Sequence, residues 1–144
     1  DFQRLTMLAL TQKRKIHDVK SKVDGMKYWV NNIFICGDYL LFDIGMDNHG
    51  RQPWEIDEVR FKLTDKNRLN AHVSQEQELK PLYRMYVDEE TTVSSSWRNF
   101  YIFPRFNYPT EKKLSIELSE KQVSGRKISL DIDYRTVLQS SYLQ

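Results

Sequence analysis

The sequence predicts an all-β fold: an antiparallel sandwich of about seven or eight strands with immunoglobulin-like connections, preceded by a helical arm. Three observations carry that expectation. Short apolar-rich runs with a period of two recur from Met26 to Ile132, the spacing that puts alternate side chains on one face of a strand. Turn residues separate these runs at intervals too short for crossover helices. Finally, 144 residues with one cysteine, Cys36, suit a single domain whose core rests on packing and not on disulfides or a zinc cluster.

The first element differs from the rest. Phe2 to about Arg14 reads as a helix with Leu5, Leu8, Ala9 and, less neatly, Met7 on its apolar face. A basic stretch from Lys13 to Lys22 follows, and the six Lys and Arg before Asp24 oppose only Asp1 and Asp18. That asymmetry suggests a basic helical arm, residues 1–24, joined to a separate body. The body, residues 25–138, opens with Met26–Val30 and Ile33–Cys36. Gly37-Asp38 then forms a two-residue hairpin turn into Tyr39–Met46, because glycine supplies the positive φ of a type II′ turn.

Asp47-Asn48-His49-Gly50 turns the chain again, and Ile56–Thr64 alternates cleanly. There Val59, Phe61 and Leu63 are expected on the dry face, with Glu58, Arg60 and Lys62 on the wet one. Ala71–Glu78 is weakly patterned. Leu82–Val87 is a strand candidate after Pro81, and Asp88-Glu89-Glu90 and Ser94-Ser95-Ser96 bracket a polar loop. Trp97–Phe103, Leu114–Leu118 and Ile128–Ile132 complete the strands, and residues 139–144 form a tail.

Composition narrows the function classes. Hydrophobic residues make up 40% of the chain and charged residues 29%. No run of about 20 apolar residues is present to span a bilayer as a helix. A net charge of +2 is too small for nucleic-acid binding by overall charge, and no aromatic lies between Arg4 and Lys27 to interleave with the basic stretch, so direct nucleic-acid contact is not expected. The chain begins at Asp1 without a signal-peptide pattern, which suggests a mature piece or fragment whose targeting segment lies elsewhere.

Catalytic patterns are weak. His17, His49 and His72 fall at no metal-ligand spacing. Cys36 has no basic cluster beside it in sequence to favour a thiolate. Ser94–Ser96 lacks a nucleophile elbow. Asp131 and Asp133 share a strand face, as do Glu76 and Glu78 if that segment is extended, an arrangement common among solvated carboxylates. The glycines are scattered singly, so no phosphate-cradling loop is formed. The expectation is a non-catalytic domain without cofactor or metal.

Aromatic residues are 12% of the chain. Tyr28 beside Trp29, and Phe100 beside Tyr101, must point to opposite sheet faces. Either both faces are covered or an aromatic patch is exposed. Trp29, Trp54, Trp97 and Tyr101 are the candidates for such a partner-binding patch, with sugar stacking as the alternative use.

Several blocks resemble the C-terminal region of the TraN family of bacterial conjugative transposons. They are Tyr39–Asn48 (YLLFDIGMDN), Trp54–Lys66 (WEIDEVRFKLTDK) and Ser74–Tyr83 (SQEQELKPLY), with weaker matches in Phe100–Phe106, Leu114–Lys121 and Ser124–Leu130. The similarity covers most of residues 26–138 and rests on the order of the blocks. It implies a structural subunit of a conjugative type IV secretion apparatus on the periplasmic side of the envelope, near the outer membrane. It further implies partners among the other apparatus subunits, including a small lipoprotein, and an oligomeric ring built through strand edges and aromatic patches.

Overall fold

A computed structural model of the chain describes residues 1–66, 76–122 and 125–143. Its elements run α1 (Phe2–Leu10), β1 (Lys20–Val23), β2 (Met26–Cys36), β3 (Tyr39–Asn48), β4 (Trp54–Asp65), β5 (Gln77–Leu79) and β6 (Tyr83–Arg84). A 3₁₀ turn (Asp88–Glu90) precedes β7 (Thr92–Val93), β8 (Ser96–Pro104), β9 (Lys112–Glu120), β10 (Lys127–Asp133), α2 (Tyr134–Leu138) and β11 (Ser141–Tyr142). Two sheets result. The first has the order β1-β2-β3-β8-β6, with β11 running parallel to β2, and the second has the order β10-β9-β4-β5, with β7 on β4. The other pairings are antiparallel, so the expected all-β sandwich with a short N-terminal helix is the observed architecture.

Turn chemistry sets the first hairpins. Cys36 pairs with Tyr39 across Gly37-Asp38, and Gly37 has φ +60, the sign a type II′ turn requires at its first central residue. Asp24 and Gly25, with φ 48 and 78, close Val23 onto Met26. Two positive φ values in an Asp-Gly pair are the type I′ signature, so the boundary expected at residues 24 and 25 is the tip of a hairpin that joins the basic segment to the body.

The inner faces of the two sheets enclose one large core. Tyr28, Phe42, Trp54, Phe61, Tyr101, Phe103, Leu114, Ile116, Leu118, Leu130 and Ile132 are all buried in it. Rings meet edge-on or tilted, as between Phe42 and Phe103 at 5.5 Å and Phe61 and Phe103 at 4.6 Å, the geometry the ring quadrupole favours. The dry face expected on β4 is present: Phe61 and Leu63 are buried and Val59 packs on the same core.

Two bulges keep the strands in phase with that core. The β2–β3 register shifts between Val30 and Asn32, and the β4–β9 register shifts between Ile56 and Glu58. One extra residue reverses which parity faces inward. Val30 and Ile33 therefore both reach the inter-sheet core, and Phe34 joins a second cluster on the outer face of the first sheet. On β4 the same device lets Trp54 and Ile56 share the core with Phe61 and Leu63.

Residues 1–24 are not an arm apart from the body. Asp1 caps α1 by accepting from the Gln3 amide at 3.0 Å, as an N-cap aspartate does. The helix ends at Leu10, short of the expected Arg14, and packs Phe2, Leu5, Leu8 and Ala9 against Phe34, Leu41, Phe100 and Ile102. The Asn32 side chain then pins the following segment, accepting from the Lys15 amide at 2.8 Å and donating to the Lys13 carbonyl at 2.9 Å. β1 completes the attachment. The expected C-terminal tail is likewise integrated, since Leu143 is buried in the same outer cluster beside β11.

The strand candidate Leu82–Val87 is shortened to Tyr83–Arg84. The Asn99 side chain bonds the Tyr86 amide and carbonyl, both at 3.0 Å, occupying groups that a longer β6 would have given to the ladder. Of the weakly patterned segment Ala71–Glu78, only its last three residues fall within the described chain, and Gln77 and Glu78 open β5.

Candidate functional site: a tryptophan-centred basic groove

The four aromatic candidates do not form one patch. Trp54 is wholly buried, pairs with Val93 and carries the Arg126 guanidinium over its ring at 4.5 Å. Tyr101 is also core, its hydroxyl donating to Asp88 at 2.9 Å. Trp97 lies opposite Met46, a core residue, and packs half-buried on that core. Only Trp29 stands on the outer face of the first sheet. Neither Trp54 nor Tyr101 has surface to offer a partner.

The alternation argument is resolved differently at each pair. Tyr28 and Tyr101 point inward. Phe100 points outward but lies under α1, whereas Trp29 points outward beyond the helix. Its indole lies over Gly45, the residue opposite it on β3. A Cβ at position 45 would come within 2.5 Å of the ring, so a glycine in the middle of this strand marks a close approach.

Polar contacts fix the ring. The Trp29 Nε1 donates to Asn31 Oδ1 at 2.7 Å, and Asn31 Nδ2 donates to Asp43 Oδ1 at 3.1 Å. Asp43 is fully buried and takes two bonds from Arg98, at 2.8 and 2.7 Å, the bidentate fork that suits guanidinium and carboxylate. From the other side the Arg14 guanidinium lies 5.5 Å from the Trp29 ring centre, within cation–π range. The bulged residue Asn31 thus connects a surface indole to a buried ion pair.

Around this ring the outer face forms a groove. A cavity of about 680 Å³ is lined by Arg14, His17, Lys20, Lys22, Lys27 and Trp29, among others. A second, of about 420 Å³, continues from Arg14 and Trp29 to Trp97 and Arg98. The basic segment that showed no aromatic in sequence gathers around one in space. Gly45, Asn31, Asp43 and Arg98 were not singled out from the sequence. The mid-strand position of Gly45 was the signal available for them.

The other sequence candidates disperse. His17 lies on the wall of the groove, His49 stands 4.0 Å from Asp47, and His72 is outside the described residues. Among the described residues, no three His, Cys, Asp or Glu side chains gather in a metal-binding group. Cys36 is buried beside Phe34 and Leu41, and burial pushes its thiol up to about 11, away from the reactive thiolate. Asp131 pairs with Lys113 and Asp133 with Lys66. Glu76 pairs with Lys62, and Glu78 with Arg60 and Lys80. Ser96 opens β8 and donates to Asp47 at 2.9 Å.

Asp88, expected at the border of a polar loop, is buried. It accepts from Tyr101 at 2.9 Å, Asn99 at 3.0 Å and Arg84 at 3.4 Å. Burial raises its pKa from the usual carboxylate range, and the bonds from Tyr101 and Asn99 oppose that rise.

A family model of unknown function, DUF4138, matches residues 3–142. The chain belongs to that family. The match takes in α1 and reaches β11, the two terminal pieces that pack on the outer face of the first sheet, so family and fold mark out the same unit. No curated protein and no solved structure matches the chain. Among the described residues, no helix is long and apolar enough to cross a membrane.

Proposed function

We propose that this member of DUF4138 is a non-catalytic assembly subunit of a bacterial conjugative transfer apparatus, a type IV secretion machine, acting in the cell envelope through protein–protein contacts of its sandwich. The observation that carries the reading is Trp29, an aromatic held on the surface by the Asn31–Asp43–Arg98 chain and ringed by cations. A rigid aromatic beside arginine is the composition that interfaces favour, because it gives contact area at little conformational cost. The sequence resemblance to the TraN family supplies the setting: neighbours in a transenvelope channel, including a small lipoprotein, and a ring of copies.

Sugar stacking would require a free indole face. Gly45 packs close against the Trp29 ring and the Arg14 guanidinium lies over it, so the groove favours a charged protein partner over a glycan.

Deletion of the gene in the source cell, followed by a transfer assay, tests the proposal. Transfer should fall and should return on complementation, and the chain should co-purify from envelope extracts with other subunits of the apparatus. Undiminished transfer after deletion would overturn it, as would a reproducible glycan-array hit that needs Trp29.

A further inference from the structure

The groove contains a like-charge cost that its one facing carboxylate among the described residues, Asp47, offsets only in part. Lys22 stands directly opposite Lys27 in the β1–β2 register, and Lys20 stands opposite Trp29. Directly opposed like charges on one sheet face destabilise a pair of strands. Lys20, Lys22 and Lys27 are exposed and, among the described residues, take part in no ion pair. Arg14 spends its contacts on the Trp29 ring and the Ile16 carbonyl. The carboxylate facing this group is Asp47, opposite Lys27 on β3, and it is engaged by Ser96 and stands near His49.

We infer that the groove seats an extended acidic segment of a partner protein. The inference rests on the assembly reading and names the partner's chemistry. Lys20 and Lys22 lie two residues apart on one strand face, roughly 6.6 Å along it. That is the spacing of alternate side chains in an extended peptide, so carboxylates at every second position would meet both lysines, with Lys27 and Arg14 alongside. Apolar groups of the same segment would lie against the exposed edge of Trp29.

The surroundings argue for a protein over a nucleic acid. Gly45 packs close against the Trp29 ring and the Arg14 guanidinium lies over it, so the ring is not a free platform for a base. Asp47 lines the groove, and Asp18 and Asp24 flank the lysines of β1 in sequence. A duplex carries one charge per about 1.7 Å of axis and would bring phosphates against those acids. The lysines also bar random sheet contacts while admitting a strand that carries the opposite charge.

The test is a titration of the full chain with a labelled oligoglutamate peptide at low salt, read by anisotropy. A DNA duplex of equal charge and vesicles rich in phosphatidylglycerol are run in parallel. Saturable peptide binding is expected, weakened roughly tenfold in a Lys22→Glu, Lys27→Glu variant. A Lys22→Gln, Lys27→Gln variant guards against misfolding, with far-ultraviolet circular dichroism as the check, and should lose part of the affinity. Trp29→Phe should weaken the binding and abolish the accompanying change in tryptophan emission. Absent peptide binding, equal binding by the charge variants, or tighter binding of DNA or vesicles would overturn the inference. The transfer assay separates the two levels. If gene deletion blocks transfer but the charge-reversed chain restores it fully, the groove inference fails and the assembly reading stands. If deletion leaves transfer intact, the assembly reading fails, and the titration alone judges what the groove binds.

Discussion

The outer face of the first sheet has two ends, and the same strands build both. At one end β2, β3 and β8 present Phe34, Leu41, Phe100 and Ile102, and α1 covers them together with Leu143. At the other they present Trp29 and Arg98, both half-buried, with Gly45 buried against the indole, and the lysines of β1 and β2 border them. β8 shows the transition within three residues: Arg98 faces the groove, Phe100 lies beneath the helix, and Asn99 between them points inward to Asp88. An apolar sheet face exposed to water needs a cover, and here the cover is local in sequence. Where the helix ends, the face changes from apolar to charged, and with it the role changes from holding the fold to meeting something outside it.

Substitutions at the covered end should act on stability. Phe100→Ala removes a ring that is 1% exposed and leaves a cavity under α1, so a loss of about 3–5 kcal/mol is expected, measured by urea unfolding. A loss below about 1 kcal/mol would mean that α1 rests on the sheet without depending on it, and the contrast between the ends would fail.

At the open end, Gly45→Ala should cost about 1–3 kcal/mol by a different route. The new Cβ would meet the Trp29 ring, and the indole would have to lift from the sheet and strain its bond to Asn31. Tryptophan emission should shift to the red, and acrylamide should quench it more readily. Stability lost without a change in emission would show the strand giving way and the indole staying in place.

Between the ends lies Asp88, which probes the layer under both. Burial raises its folded-state pKa above the unfolded value, so its contribution is most favourable below the unfolded pKa and is lost as pH rises through the folded one. Arg84, Glu89, Tyr101, Asn99 and the buried Tyr28 hydroxyl are the groups that face it or feel its charge. Asp88→Asn keeps an acceptor for Tyr101 and Asn99, so a change of about 1 kcal/mol is expected near neutral pH. The stability of wild type relative to the variant should improve as pH falls from neutral toward 4, as followed by urea unfolding across that range. A pH-independent difference would remove the titration from the account.

How much of this could be read from the sequence follows from parity. A strict period of two locates strands well, and the Gly37-Asp38 turn and the Val59, Phe61, Leu63 face were legible because nothing interrupts them. Trp54 was not, since its parity is opposite to that of Phe61. Only the extra residue near Asp57 brings both inward, and a bulge leaves little trace in composition. The Asp24-Gly25 pair did carry the signal for a hairpin, and it ties the basic segment to the body instead of dividing them. The groove was hidden for a further reason. Arg14, Trp29, Gly45 and Arg98 belong to four segments that only the sheet register brings together, and single-chain spacing holds no record of register.

The smallest effect separates the two ends most sharply. Lys22→Glu places a carboxylate opposite Lys27, replacing a like-charge pair with an opposite one on an exposed face. The expected gain is a few tenths of a kcal/mol, present at low salt and gone at about 1 M, where the Debye length falls to about 3 Å. Comparing urea midpoints of wild type and variant at both salt levels reads it directly. A substitution that improves the fold while weakening the bound acidic peptide identifies a residue held for contact and not for stability, as functional surfaces commonly are. If Lys22→Glu instead destabilises the chain at both salt levels, the lysine is doing structural work, and the two ends of the sheet differ in degree and not in kind.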